Sequence, residues 1–89
     1  MKDENQVSAI NKKYVAALGK AVRSYRTLSG KSQEQAAHDA EMHTNYFQAI
    51  ELGNINTSIS KIVAIAGALD VSAGEIVTKA DETYNSGDE

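Results

Sequence analysis

Thr44, Asn45 and Gln48 put three neutral polar side chains within five consecutive positions. On a helix, residues three or four apart share a face, so Asn45 would stand beside Gln48 and Ala49, and Thr44 beside Gln48. An Asn or Gln amide offers a donor and an acceptor side by side, the pattern that reads an adenine edge, and a Thr methyl suits the thymine methyl. This is recognition chemistry. No nucleophile, base and orienting group occur together and no Gly-rich phosphate loop is present, so an enzyme is not expected. His38 and His43 are five apart, with Asp39 and Glu41 nearby, a spacing that does not gather ligands on one helix face. Neither a metal nor another cofactor is anticipated.

Such a set needs rigid elements behind it. Tyr14, Ala17, Leu18, Ala21, Val22, Tyr25 and Leu28 recur at helical spacing after Ile10, which predicts one long first helix ending near Ser29-Gly30. Ser32 and Gln35 form a capping box for a second helix, whose Ala36, Ala37 and Ala40 make a small-residue face that ends near Glu41. A third helix starts at His43 or Thr44 and runs to Leu52, with Phe47 and Ile50 inward and Gly53 as its left-handed terminator. Thr57 or Ser58 then caps a fourth, striped by Ile59, Ile62, Ile65, Ala66 and Leu69, with Val71 closing the core behind it. Ser72 and Glu75 open a short fifth helix with Ile76 and Val77. The fold class is all-α, with five helices and a long first one.

The 89 residues contain no Cys, no Pro and a net charge of −3, unevenly distributed. From Lys12 onward Lys12, Lys13, Lys20, Arg23, Arg26 and Lys31 form a cationic segment with no acid until Glu34, whereas Ser32 to Gly53 holds four acids and no Lys or Arg. The organisation expected is a polar extension over 1–9, a helical domain over 10–78 and an acidic flexible tail over 79–89. MKDENQVSAI carries charges where a signal peptide needs an apolar core, and no apolar run approaches the ~20 residues that span a bilayer. A cytoplasmic protein without a membrane partner is expected.

The segment LGKAVRSYRTLSGKSQEQAAHDAEMHTNYFQAIELG, followed by SISKIVAIAGALDVSAGEIV, resembles the XRE family of helix-turn-helix regulators, which includes lambda- and Cro-type phage repressors. Arg26 with Gly30-Lys31-Ser32-Gln33, the run Tyr46 to Gly53, and Ile65 to Ser72 carry the likeness, without gaps from Leu18 to Val77. Small phage repressors and restriction-modification controller proteins are similar in size. The family usually has Gly where this chain has Glu41, and a large aliphatic residue at the positions of Lys31 and Ala36. It often has Arg or Lys around the third helix, where this chain is neutral.

The resemblance implies a transcriptional regulator that binds double-stranded DNA as a homodimer, with the third helix in the major groove of a palindromic operator. Base contacts would then fall to Thr44, Asn45, Gln48 and Ala49. Gln33 is implied as a phosphate contact, with Asn54 and Asn56 able to act likewise from the loop. Tyr46 either offers its hydroxyl to a phosphate or is a half-buried aromatic beside Phe47. Within the basic run, Lys31 and Arg23 are the candidate phosphate contacts, with a solvated helix face as the alternative. The family pairs a Glu with an Arg of the first helix, here Glu51 with Arg26. Val77, Ile55, Leu52 and Tyr84 have no assured place in the core and are candidates for a two-fold interface. The rival from another class is a protein-interaction module that keeps the fold but no longer grips the groove.

Overall fold

A computed structural model describes the backbone of residues 4–87 and the side chains of residues 11–87. Its helices are α1 (Glu4–Ser29), α2 (Gln33–Asp39), α3 (Thr44–Glu51), α4 (Ile59–Ala68) and α5 (Ala73–Ser86), and no strand occurs among the described residues. The long α1 is a backbone for the rest: α5 and α3 pack along it, α2 packs on α3 and α4, and α4 on α5. Phe47, Ile50, Ile65, Ile76 and Val22 form the fully buried centre, with Ala36 and Ala37 closing in from α2.

Local chemistry sets the boundaries. Ser32 accepts from the amide of Gln35 while the Gln35 side chain accepts from the Ser32 amide, and Ser58 and Ser72 cap α4 and α5. Three helices end alike. In each, the two residues after the C-cap donate back to the carbonyls of the last turn: Glu41 and Met42 to His38 and Ala37, Gly53 and Asn54 to Ile50 and Ala49, Asp70 and Val71 to Gly67 and Ala66. This closure needs a left-handed residue, normally Gly. Gly53 supplies it at φ 73°, but Glu41 and Asp70 adopt it at 57° and 59° despite their side chains. At Glu41 the turn keeps its shape at a cost of roughly 1 kcal/mol.

Several sequence expectations move. Helix α1 begins at Glu4, not Ile10, so most of the expected polar extension is helix; residues 1–3 lie outside the described structure. At the other end α5 continues to Ser86 where a tail from 79 was expected. Tertiary contacts override the polar composition there. Ala80 is fully buried, and the Tyr84 ring lies 5.4 Å from that of Tyr14. The Tyr14 hydroxyl donates to Asp81, and burial together with that carboxylate pushes its pKa up to about 12. Asp88 and Glu89 lie outside the described residues. Leu28 and Ile59, both assigned to apolar stripes, are exposed. Ile59 is the first residue of α4, and helical side chains lean toward the N-terminus, which carries it past the core.

Candidate nucleic-acid interface

The back of α3 is fixed by a polar network. Glu51 is buried and accepts from Arg26 at both oxygens, Nε to Oε2 at 2.6 Å and Nη2 to Oε1 at 3.2 Å. The remaining Arg26 nitrogen, Nη1, donates to the Lys31 carbonyl at 3.0 Å, and the Gln33 amide donates to Glu51 Oε1 at 2.8 Å. One carboxylate thus ties the end of α3 to α1, to the loop before α2 and to the first turn of α2. A bidentate arrangement of this kind is directional as well as charged.

Close backbone contact completes the seating. A Cβ on Gly19 of α1 would meet the carbonyl oxygens of Ile50 and Glu51, the latter at 2.6 Å, and one on Gly53 would stand 2.9 Å from Ala16 Cα. The C-terminal end of α3 therefore lies directly on α1. Gly19 had no role in the sequence reading, because nothing local marks a glycine required by a neighbour about thirty residues away.

With Phe47, Ile50 and Glu51 buried, helical geometry turns Asn45, Gln48, Ala49 and Leu52 outward. Asn45 and Gln48 are exposed, Thr44 and Ala49 half-buried beside them. Among the described residues no hydrogen bond engages the side chains of Thr44, Asn45 or Gln48, nor those of Asn54 and Asn56 in the following loop. The four base-contact candidates are thus brought together on one free, neutral surface.

The phosphate-contact candidates divide. Arg23 is exposed and makes no ion pair among the described residues. Lys31 is committed: its Nζ pairs with Asp39 at 2.9 Å and donates to the carbonyl of Ala68, the last residue of α4. The ammonium compensates a helix C-terminus rather than facing solvent alone. The Asp39 carboxyl is held below the usual carboxylate range by the hydrogen bond and charge of Lys31, with a smaller contribution from His38. Gln33 spends one N–H on Glu51 and is half-buried. Tyr46 takes the half-buried form, its hydroxyl 3.1 Å from Thr57 Oγ1.

Lys61 escaped the sequence reading. Its Nζ lies 5.6 Å from the centre of the Tyr46 ring, placing an exposed cation beside α3 on the α4 side. A signal existed: a lysine in the first turn of a helix opposes the helix dipole, so its position asks for another reason.

The interface candidates also divide. Leu52 is exposed, Ile55 and Val77 are half-buried, and Tyr84 is occupied within the chain, between the Tyr14 ring and Lys13 Nζ at 4.9 Å. Exposed instead are Ile59 and Val63, one turn apart on α4. Among the described residues no group of three or more His, Asp or Glu side chains is arranged to hold a metal, and no helix is long and apolar enough to cross a membrane.

A short helix set on a rigid support, presenting neutral hydrogen-bonding side chains outward, defines a helix-turn-helix recognition domain. The helix-turn-helix family matches residues 22–76, and the chain belongs to it, as a DNA-binding transcription regulator of the XRE type. It is similar to the control protein C.SmaI of Serratia marcescens, 34% identical over 62 residues that make up 70% of this chain and 74% of that one. Among solved structures, the restriction-modification controller protein C.AhdI of Aeromonas hydrophila superposes with a TM-score of 0.68 at 32% identity, covering 70% of this chain and 94% of that one. The clp gene regulator ClgR of C. glutamicum gives 0.75 at 25% identity, over 78% of this chain and 88% of that one. The relatives that share its sequence are regulators, and the chain is not an enzyme.

Proposed function

We propose that this regulator binds a palindromic operator as a homodimer, α3 of each protomer lying in the major groove. The observation that carries the reading is the pair of faces on α3: the rear held by Glu51, the front presenting Thr44, Asn45, Gln48 and Ala49 with no internal claim on their polar groups. Asn45 and Gln48 suit adenine edges, and Thr44 and Ala49 the thymine methyl. Arg23, Lys61, Asn54 and Asn56 reach phosphates around that front, and the second N–H of Gln33 is a further donor. Two half-sites about 34 Å apart answer to a two-fold dimer. Leu52, Ile59 and Val63 are its apolar contact, exposed at 59%, 67% and 56%, in preference to Tyr84 and Val77.

Selection of bound duplexes from a random pool at low salt tests the reading. A single enriched palindrome is expected, and the absence of any enriched motif overturns it. Sedimentation adds the second half: Val63→Asp is expected to shift a dimer to monomer while Val77→Asp leaves it unchanged. One observation favours the rival interaction module, namely that Glu34, Asp39 and Glu41 are exposed on α2 and its turn while Lys31 is internally paired. That module would bind no duplex at all.

A further inference from the structure

His43 precedes the first residue of α3 and occupies its N-cap position, yet its side chain makes no capping hydrogen bond. Its carbonyl accepts from the amides of Tyr46 and Phe47, so those two N–H groups are paired without the imidazole. The ring is exposed and, among the described residues, unpartnered, directly beside Thr44 and Asn45. It lines an open cleft of about 280 Å³ with His38 of α2 and with Glu41 and Met42 of the turn. The charged or titratable groups facing it are therefore one carboxylate, Glu41, and one imidazole, His38. His38 also borders a second cleft with Lys31, Glu34, Gln35 and Asp39, and so stands among two carboxylates and one ammonium as well. Between Ser32 and Gly53 there is no Lys or Arg, so the two histidines are the only side chains there able to become cationic.

We propose that His43 is a proton-dependent phosphate contact at the edge of the reading surface. The inference rests on the DNA-binding reading above and names how that surface is regulated. When the ring is neutral, the turn presents the Glu41 carboxylate to the duplex and opposes it. When the ring takes up a proton, His43 offers two N–H donors and a positive charge that offsets Glu41. Histidine is the side chain that ordinarily changes charge between pH 5 and 8, while the phosphates of the duplex stay ionised throughout. Operator affinity thus rises as pH falls, through a residue that sets contact strength and leaves the base-reading groups unchanged.

The test uses the full chain and the duplex it selects from a random pool. Affinity for that duplex is measured at pH 6 and pH 8 at one ionic strength, for the wild type, His43→Asn and His38→Asn. A charge-assisted contact of this kind predicts about tenfold tighter binding at pH 6 for the wild type. Asn is a better N-cap than His, so His43→Asn keeps α3 folded and separates contact from structure. It is expected to lose the pH dependence while melting no lower than the wild type, and His38→Asn is expected to retain it. A flat wild-type profile overturns the inference, as does a His43→Asn protein with the wild-type profile, or loss of the effect in His38→Asn alone. If the pool yields no selected duplex, the DNA-binding reading falls and this inference falls with it.

Discussion

The two faces of α3 differ in what their polar groups are doing. On the inner face Glu51 has both oxygens engaged, by Arg26 and Gln33, and sits at the join of three elements. On the outer face Thr44, Asn45 and Gln48 make no side-chain hydrogen bond among the described residues. The difference teaches a division of labour. The groups that hold the helix are hydrogen-bonded to one another around a buried carboxylate, whereas the groups proposed to read a partner keep their hydrogen-bonding capacity open. Because the support is rigid, little ordering of α3 has to be offset when it binds.

Removing the saturated side should have the largest effect. Glu51→Ala leaves Arg26 uncompensated in a site where its side chain is 15% exposed, and loss of one partner of such a pair costs about 3–5 kcal/mol. Chemical denaturation is expected to register that loss. Affinity should fall with it, because α3 would no longer be held against α1. Full stability in Glu51→Ala would mean that packing alone seats the helix.

Next comes the backbone contact. Gly19→Ala drives a methyl group into the carbonyl oxygens of Ile50 and Glu51, so α3 must shift or the helix pair must open. Overpacking of this sort costs about 1–3 kcal/mol. The outer face should then be displaced as a unit, lowering affinity for all duplexes together; a melting temperature equal to the wild type would contradict the close approach. Changes on the outer face should behave oppositely. Asn45→Ala is expected to leave stability within about 0.5 kcal/mol and to lose about 1–3 kcal/mol of discrimination at one base pair, read by repeating the selection.

How much of this was readable from sequence follows the same divide. The inner face was legible where its signals are local or shared with a family: the capping residues Ser32 and Ser72, the apolar Phe47 and Ile50, and the Arg26–Glu51 partnership. The outer face was legible as residue type and spacing, since exposure of Asn45 and Gln48 follows once Phe47 and Ile50 point inward. What escaped depends on distant chain. Lys31 reads as a surface cation until the carbonyl of Ala68 arrives beside it. Gly19 reads as a weak helix residue until α3 crosses it. The second half of α5 reads as a polar tail because Tyr14, its partner, is 70 residues from Tyr84. Ile59 carries the right periodicity but sits at a helix start, where periodicity says nothing about whether a neighbour exists.

The smallest effects sharpen the comparison most, because they ask on which side each cation belongs. Lys31 is grouped with the positioning residues: its Nζ holds Asp39 and the end of α4. Arg23 and Lys61 are exposed, neither in an ion pair among the described residues, and are grouped with the side proposed to meet DNA. The slope of log affinity against log salt separates them, since each phosphate neutralised adds about one unit. Arg23→Ala and Lys61→Ala should each flatten the slope by a fraction up to that amount, while Lys31→Met should leave it unchanged. Acid titration of stability gives the converse. The Asp39 carboxyl is depressed by Lys31, so its contribution is present above the ordinary carboxylate range and disappears as pH falls through the depressed value. Lys31→Met should weaken that acid dependence and Arg23→Ala should not, the effect being small because Asp39 remains well exposed. A flattened salt slope in Lys31→Met would move that lysine to the DNA-contacting set and redraw the boundary between the two faces.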